Sequence, residues 1–171
     1  FLIMHSFIGW KIASQQKLIV YNVPQHRAID FVNGNKYHFV GDSILLEDAL
    51  LQNFHLKPGR IALQLSKRVD SLPILYRKTP FYQVGNSKIL LVSAPIKTTI
   101  SNHKIPIDVA IISKNPRLQI ASLAKVFDIQ KIVFDASNSL WKIDKWKQEC
   151  EALHLRHHSI PEQGAFVLDI E

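Results

Sequence analysis

Residues Ile107-Asp-Val-Ala-Ile-Ile-Ser113 form an almost unbroken apolar run, which Asn115-Pro116 breaks. A strand of this composition has no polar face to offer water, so it belongs at the centre of a sheet covered on both sides. The flanking sequence supplies material for the covering layers. Residues 118–127 read as a helix and 131–134 as the next strand. Residues 139–153 read as a long helix that sets Ile143, Trp146, Cys150 and Leu153 on one buried stripe. Strands over 155–160 and 164–170 complete a β-α-β-α-β-β order.

The upstream half has a different rhythm. Residues 18–23, 28–32 and 37–40 are rich in β-branched and aromatic side chains. Asn33-Gly34 between the last two is a hairpin signal, because its turn needs positive φ. The three predict a β-meander. Residues 44–54 predict a helix capped by Asp42 or Ser43, with Leu45, Leu46, Ala49 and Leu50 on one face, and Pro58-Gly59 ends this unit. A strand over 60–66 and a hairpin of 81–84 with 88–94 across Gly85-Asn86 follow. Strands and helices in this mixture predict an α/β sandwich with helices packed on the sheets.

At 171 residues the chain has room for one domain with a real core. Its single cysteine, Cys150, can form no internal bridge and cannot anchor a thiolate zinc site alone. Lys and Arg number 21 against 14 Asp and Glu, a formal charge of +7. That excess suits nucleic acid or an anionic membrane face, although no run of like charges makes a tail. Residues 1–16 stand apart: Phe1-Leu-Ile-Met-His-Ser-Phe-Ile-Gly-Trp10 is apolar but too short to span a bilayer. It reads as a membrane-proximal segment or linker, with an ordinary first element packed on the core as the alternative, and the domain proper as 17–171.

Two blocks carry a family resemblance. The first is Val20-Tyr-Asn-Val-Pro-Gln-His-Arg-Ala-Ile-Asp-Phe31 followed by Asn33-Gly-Asn-Lys-Tyr-His-Phe-Val-Gly-Asp42. The second runs from Ile107 to Phe166 and includes Ser113-Lys-Asn-Pro116, Ser137-Asn138 and Glu162-Gln-Gly-Ala-Phe166. In order and spacing the chain resembles the C-terminal metallo-β-lactamase-like domain of ComEC-type competence proteins, the DNA-uptake channel proteins of bacterial inner membranes. The resemblance implies a reduced metallo-β-lactamase-like α/β sandwich of mixed sheets with flanking helices. It also implies a soluble domain attached to an inner-membrane channel, on the periplasmic face.

Active members of that family need a His-x-His-x-Asp-His motif to hold two metal ions. Where the motif is due, this chain has Ser66-Lys-Arg-Val-Asp-Ser71, with Asp70 the one oxygen donor beside two cations. Lys114 and Asn115 stand where the family has two histidines, so no metal ligand, catalytic residue or cofactor is carried over and the branch reads as degenerate. Gln25, His26, Arg27, Asp42 and Asp70 are then residues of a former cleft. No two of the eight histidines sit at i, i+4 on a predicted helix, His154 and His157 bracket a helix end and the start of a strand, and His157 and His158 point to opposite faces of that strand. Cys150 reads as a buried structural thiol, and Trp141 and Trp146 as core and half-core, with a base-stacking platform as the lesser alternative. Lys67, Arg68, Lys114, Arg117, Lys142 and Lys145 are the candidate DNA contacts, the first four expected to converge on the cleft edge and hold phosphates by charge.

The expected partners are DNA, single-stranded and weakly held, and the channel portion of the parent protein, with no small-molecule substrate. Two other readings compete. One is a metal-dependent nuclease or other hydrolase with a carboxylate site rebuilt from Asp42, Asp70, Asp108 and Asp135. The other is a purely structural module with an apolar patch near residues 1–12.

Overall fold

The computed structural model describes residues 14–96 and 103–170. The apolar patch expected near residues 1–12 therefore lies outside the described residues.

The meander forms as expected, from β1 (Gln16–Val20), β2 (Ala28–Asn33) and β3 (Lys36–Gly41). The short β4 (Lys67–Arg68) runs parallel to β3, and β11 (Phe166–Asp169) pairs antiparallel with β1. These five strands form one mixed sheet in the order β11-β1-β2-β3-β4. The second sheet has the order β10-β9-β8-β7-β6-β5. It comprises β5 (Leu75–Lys78), β6 (Phe81–Val84), β7 (Ser87–Val92), β8 (Ile105–Ile112), β9 (Phe127–Phe134) and β10 (His157–Ser159). Strands β7, β8, β9 and β10 are mutually parallel and β5, β6 and β7 antiparallel. The apolar run thus lies inside its sheet, with a parallel neighbour on each side.

Side-chain alternation builds the layers. Leu18, Val20, Ile29 and Phe31 of the first sheet meet Tyr82, Ile89, Leu91, Val109, Ile111 and Val133 of the second in one core. Phe31 stacks on Tyr82 across that core, ring centres 5.3 Å apart. The opposite face of the second sheet (Leu90, Val92, Ala110, Ile112, Ile132, Phe134) packs on α4 (Ile120–Val126) and α5 (Leu140–Ala152). The outer face of the first sheet (Ile19, Tyr21, Val32) is covered by Leu45 and Leu56 from the helical segment after β3. The architecture is the α/β sandwich of mixed sheets with flanking helices.

That helical segment departs from expectation. It is broken into α1 (Ile44–Glu47), α2 (Ala49–Leu51), a π-helical stretch (Gln52–Leu56) and α3 (Lys57–Ala62). Asp48, rather than Asp42 or Ser43, makes the side-chain cap, accepting from Leu50 N and Leu51 N. The break after Glu47 rotates the pattern, so Leu46, Ala49 and Leu50 face water while Leu45 and Leu56 are buried. Pro58 starts α3 rather than ending the unit, because a proline in the first turn forfeits no helical hydrogen bond. Residues 60–66 consequently form no strand.

A buried polar triad explains why α3 wins there. Asp30, in the middle of β2, is fully buried, and an isolated carboxylate there would be costly. Arg60 meets it in two bonds, Nε to Oδ2 at 2.8 Å and Nη2 to Oδ1 at 3.1 Å, and the Tyr21 hydroxyl donates to Oδ2 at 2.9 Å. The Tyr37 ring lies 4.3 Å from the guanidinium carbon, a cation–π contact. A helix at residues 57–62 brings Arg60 to this place. Beyond the short β4 and β5, neither expected from the sequence, the remaining elements match their predicted identity, with α6 (Ile160–Gln163) added before β11.

Candidate functional site

The carboxyl ends of β3, β8 and β9 come together at one edge of the sandwich, beside the 24–27 loop that carries the predicted cleft residues Gln25, His26 and Arg27, while Asp42 follows β3 and Lys114 follows β8. Gly41 closes β3 because nothing larger fits. A Cβ there would lie 2.5 Å from the Arg27 carbonyl oxygen and 2.3 Å from Phe39 Cζ. This close approach seats Asp42 against the 24–27 loop, where Asp42 N donates to Arg27 O at 3.1 Å. The loop is fastened to the other sheet by Gln25 N, which donates to Ala136 O at 2.9 Å.

Asp42 Oδ2 is the focus. It accepts from Lys114 Nζ at 2.5 Å and Arg27 N at 3.3 Å, and lies 3.1 Å from His26 Nδ1. Partial burial pushes the Asp42 carboxyl up. Its bonds from Lys114, His26 and the Arg27 backbone outweigh that and hold it below the ordinary carboxylate range. Lys114 reaches it from a turn in which Lys114 (φ 66°) and Asn115 (φ 53°) both adopt left-handed backbone. Asparagine tolerates that conformation well and lysine does so at a cost. The ammonium–carboxylate contact thus joins the edge of one sheet to the edge of the other.

Behind it lies a polar cluster that the sequence motifs touched without assembling. Asp135, fully buried after β9, accepts from the hydroxyls of Ser113 and Ser137, from Ser137 N at 3.0 Å and from Asn138 Nδ2 at 3.1 Å. Burial pushes Asp135 up to about 6, against the pull of these donors and of the Arg27 charge. Asn138 Nδ2 also donates to Ile112 O at 2.6 Å, and its carbonyl accepts from Asn115 N at 2.9 Å. Asn115 Oδ1 in turn accepts from Ser139 N at 2.8 Å. Both serine hydroxyls donate to a buried carboxylate, so the cluster stitches the turn after β8 to the turn after β9 and presents no activated nucleophile.

The two metal ions that the resemblance implies for active members do not fit this donor set. Lys114, which stands at one of the family's two histidines, puts an ammonium group there that repels a divalent ion, and it already bonds the Asp42 oxygen of the rebuilt-site reading. Among the described residues, no group of three or more His, Cys, Asp or Glu side chains is placed to hold one. The carboxylates proposed for a rebuilt site also stay apart. Asp108 sits inside β8 and accepts from Lys88 N at 2.7 Å, Asp70 is exposed beyond β4, and Asp135 is enclosed.

Gln25, His26, Arg27, Asp42 and Lys114 are brought together. Lys67 and Arg68 are not. They pair with Lys36 and Tyr37 at the start of β3, roughly 15–20 Å of strand away from Asp42, because β4 forms later than the expected strand. The expected convergence of Lys67, Arg68, Lys114 and Arg117 therefore fails.

Arg117, Lys142 and Lys145 do gather, on the outer side of the α4–α5 layer. They line a groove of about 680 Å³ together with Lys125, Trp141 and Trp146. Trp146 is buried as expected, stacked on Phe134 at 5.8 Å, whereas Trp141 is 66% exposed and no part of the core. Lys125 was missed as a site residue, and Trp141 reads from the sequence as core or half-core, with base stacking as the lesser alternative. The legible signal was Trp141 and Lys145 at i, i+4, neighbours on one helix face.

Among the described residues no helix is long and apolar enough to cross a membrane. Searches of curated proteins and of solved structures each found no match. The family model of the ComEC C-terminal domain matches residues 18–170, which takes in both sheets and the whole of the site. The chain belongs to the ComEC C-terminal domain family, and with it to the competence proteins of DNA uptake.

Proposed function

We propose that this domain serves DNA uptake as a non-catalytic module that contacts DNA and packs beside the channel portion of its parent protein, on the periplasmic face of the inner membrane. The observation that carries the reading is the Lys114 ammonium on Asp42 Oδ2. A cation tethered to the chain neutralises the carboxylate at the place where hydrolysis would need a divalent ion to generate hydroxide and clamp a phosphate. The basic surface supports the contacting role, since Arg117, Lys142 and Lys145 pair with no carboxylate among the described residues. The membrane face and the channel neighbour rest on the family resemblance alone.

The test is a titration of the protein with manganese or zinc in a calorimeter, alongside incubation of labelled single-stranded DNA with each ion. The expected result is no saturable heat and no cleavage. Stoichiometric metal uptake with cleavage that Asp42→Ala abolishes would overturn the non-catalytic reading.

A further inference from the structure

We infer that the groove between α4 and α5 is a binding site for single-stranded DNA, with Trp141 as its stacking platform and Arg117, Lys125, Lys142 and Lys145 as its phosphate contacts. The inference rests on the DNA-contacting role proposed above and assigns that role a place, a strand state and a set of side chains.

Three observations carry it. First, the groove is large enough for a nucleotide-sized ligand, at about 680 Å³. Second, its charge is of one sign. Four cations line it, no acidic residue does, and none of the four is paired with a carboxylate among the described residues. Third, an indole stands exposed among these cations without belonging to the core. An exposed tryptophan costs solvation, and a base face can cover it.

Lys142 is already fixed at the head of the groove. Its ammonium donates to Asn115 O at 2.6 Å and lies 5.7 Å and 5.8 Å from the ring centres of Trp141 and Trp146. Trp146 Nε1 in turn reaches Leu118 O at 3.4 Å, which holds the groove wall. A rigid cation beside a free aromatic face suits alternating phosphates and unpaired bases. A duplex keeps its base faces stacked on each other and leaves Trp141 unused, which is why the strand state is single.

The experiment is fluorescence anisotropy with a labelled oligothymidine and a blunt duplex of equal length, using the full chain in 50 mM and 200 mM salt. Wild type is expected to bind the single strand better than the duplex. Four phosphate contacts predict about a 50-fold loss between the two salt concentrations. Trp141→Ala is expected to weaken single-strand binding roughly 5- to 150-fold and leave duplex binding unchanged, with Trp141→Phe recovering most of it. Lys145→Ala should flatten the salt dependence by about one contact, whereas Lys67→Ala with Arg68→Ala should change little. These residues are exposed, and an unchanged circular dichroism melt checks that each variant folds.

If wild type binds the oligothymidine but Trp141→Ala and Lys145→Ala bind equally well, the groove assignment is wrong and the DNA-contacting role survives elsewhere. Duplex binding lost to the same degree as single-strand binding also overturns the stacking role. If wild type binds neither nucleic acid in 50 mM salt, the DNA-contacting reading itself falls.

Discussion

Asp135 shows how one side chain can carry a pH signature without any catalytic duty. Its carboxyl titrates near 6 in the folded protein and near the ordinary aspartate value of about 4 once unfolded. The folded state therefore holds the proton more tightly. The stabilisation is complete below the unfolded value and is lost as pH rises through about 6. Between pH 7 and pH 5, wild type is expected to gain about 1 kcal/mol over Asp135→Asn, which keeps the shape but cannot ionise. Urea unfolding of both proteins at the two pH values checks this, and a constant difference would show that the carboxyl titrates normally. Asp42 works in the opposite direction. Its lowered value makes its contribution fade only as acid protonates it, below the window used here.

At the scale of elements, the Asp30–Arg60 pair fastens α3 to the middle of β2. Arg60→Met leaves a carboxylate buried without its cation and is expected to cost about 3–5 kcal/mol. Adding Asp30→Leu should recover much of that loss, because replacing both partners removes the stranded charge. Chemical denaturation of the single and double variants reads both. The same pair explains what was legible in the sequence and what was not. An aspartate inside Ala28-Ile-Asp-Phe-Val32 announced that a partner had to exist, but nothing local named Arg60. Its segment looked like a strand because Arg60-Ile-Ala-Leu-Gln-Leu-Ser66 alternates, and only the tertiary contact favours a helix there. The strands β2, β3, β6, β7 and β8 were readable because their composition or hairpin turns are local signals. The Lys114–Asp42 contact joins residues 72 positions apart, so the motif showed which ligands were gone but not where the lysine's charge goes. Trp141 was misread for a related reason: helical spacing gives the stripe, but the exact edge of that stripe is decided by the sheet beneath it.

Across the whole molecule, two sheets share one core and each carries a helical layer on its outer face. The two layers are unequal. On the β8 side, α4 and α5 bury Ile120, Leu123, Ile143, Trp146 and Cys150, whereas Leu153, expected on the same stripe, is exposed where the helix ends. On the β2 side the broken segment leaves Ile44, Leu46, Leu50, Phe54 and Ile61 exposed, Phe54 and Ile61 at 73% each. Since Phe54 contributes almost nothing to the core, Phe54→Glu is expected to shift stability by no more than about 0.5 kcal/mol. A loss of several kcal/mol on denaturation would mean that this layer packs inward, as the sequence alone suggested for Leu46 and Leu50.

The lysine contact at the sheet edges has a consequence for supply. A fastening made from the polypeptide's own amine arrives with every copy at translation, in fixed one-to-one proportion. Chelators cannot strip it and dilution cannot weaken it, so this edge of the sandwich closes identically whether the surroundings are rich in transition metals or starved of them.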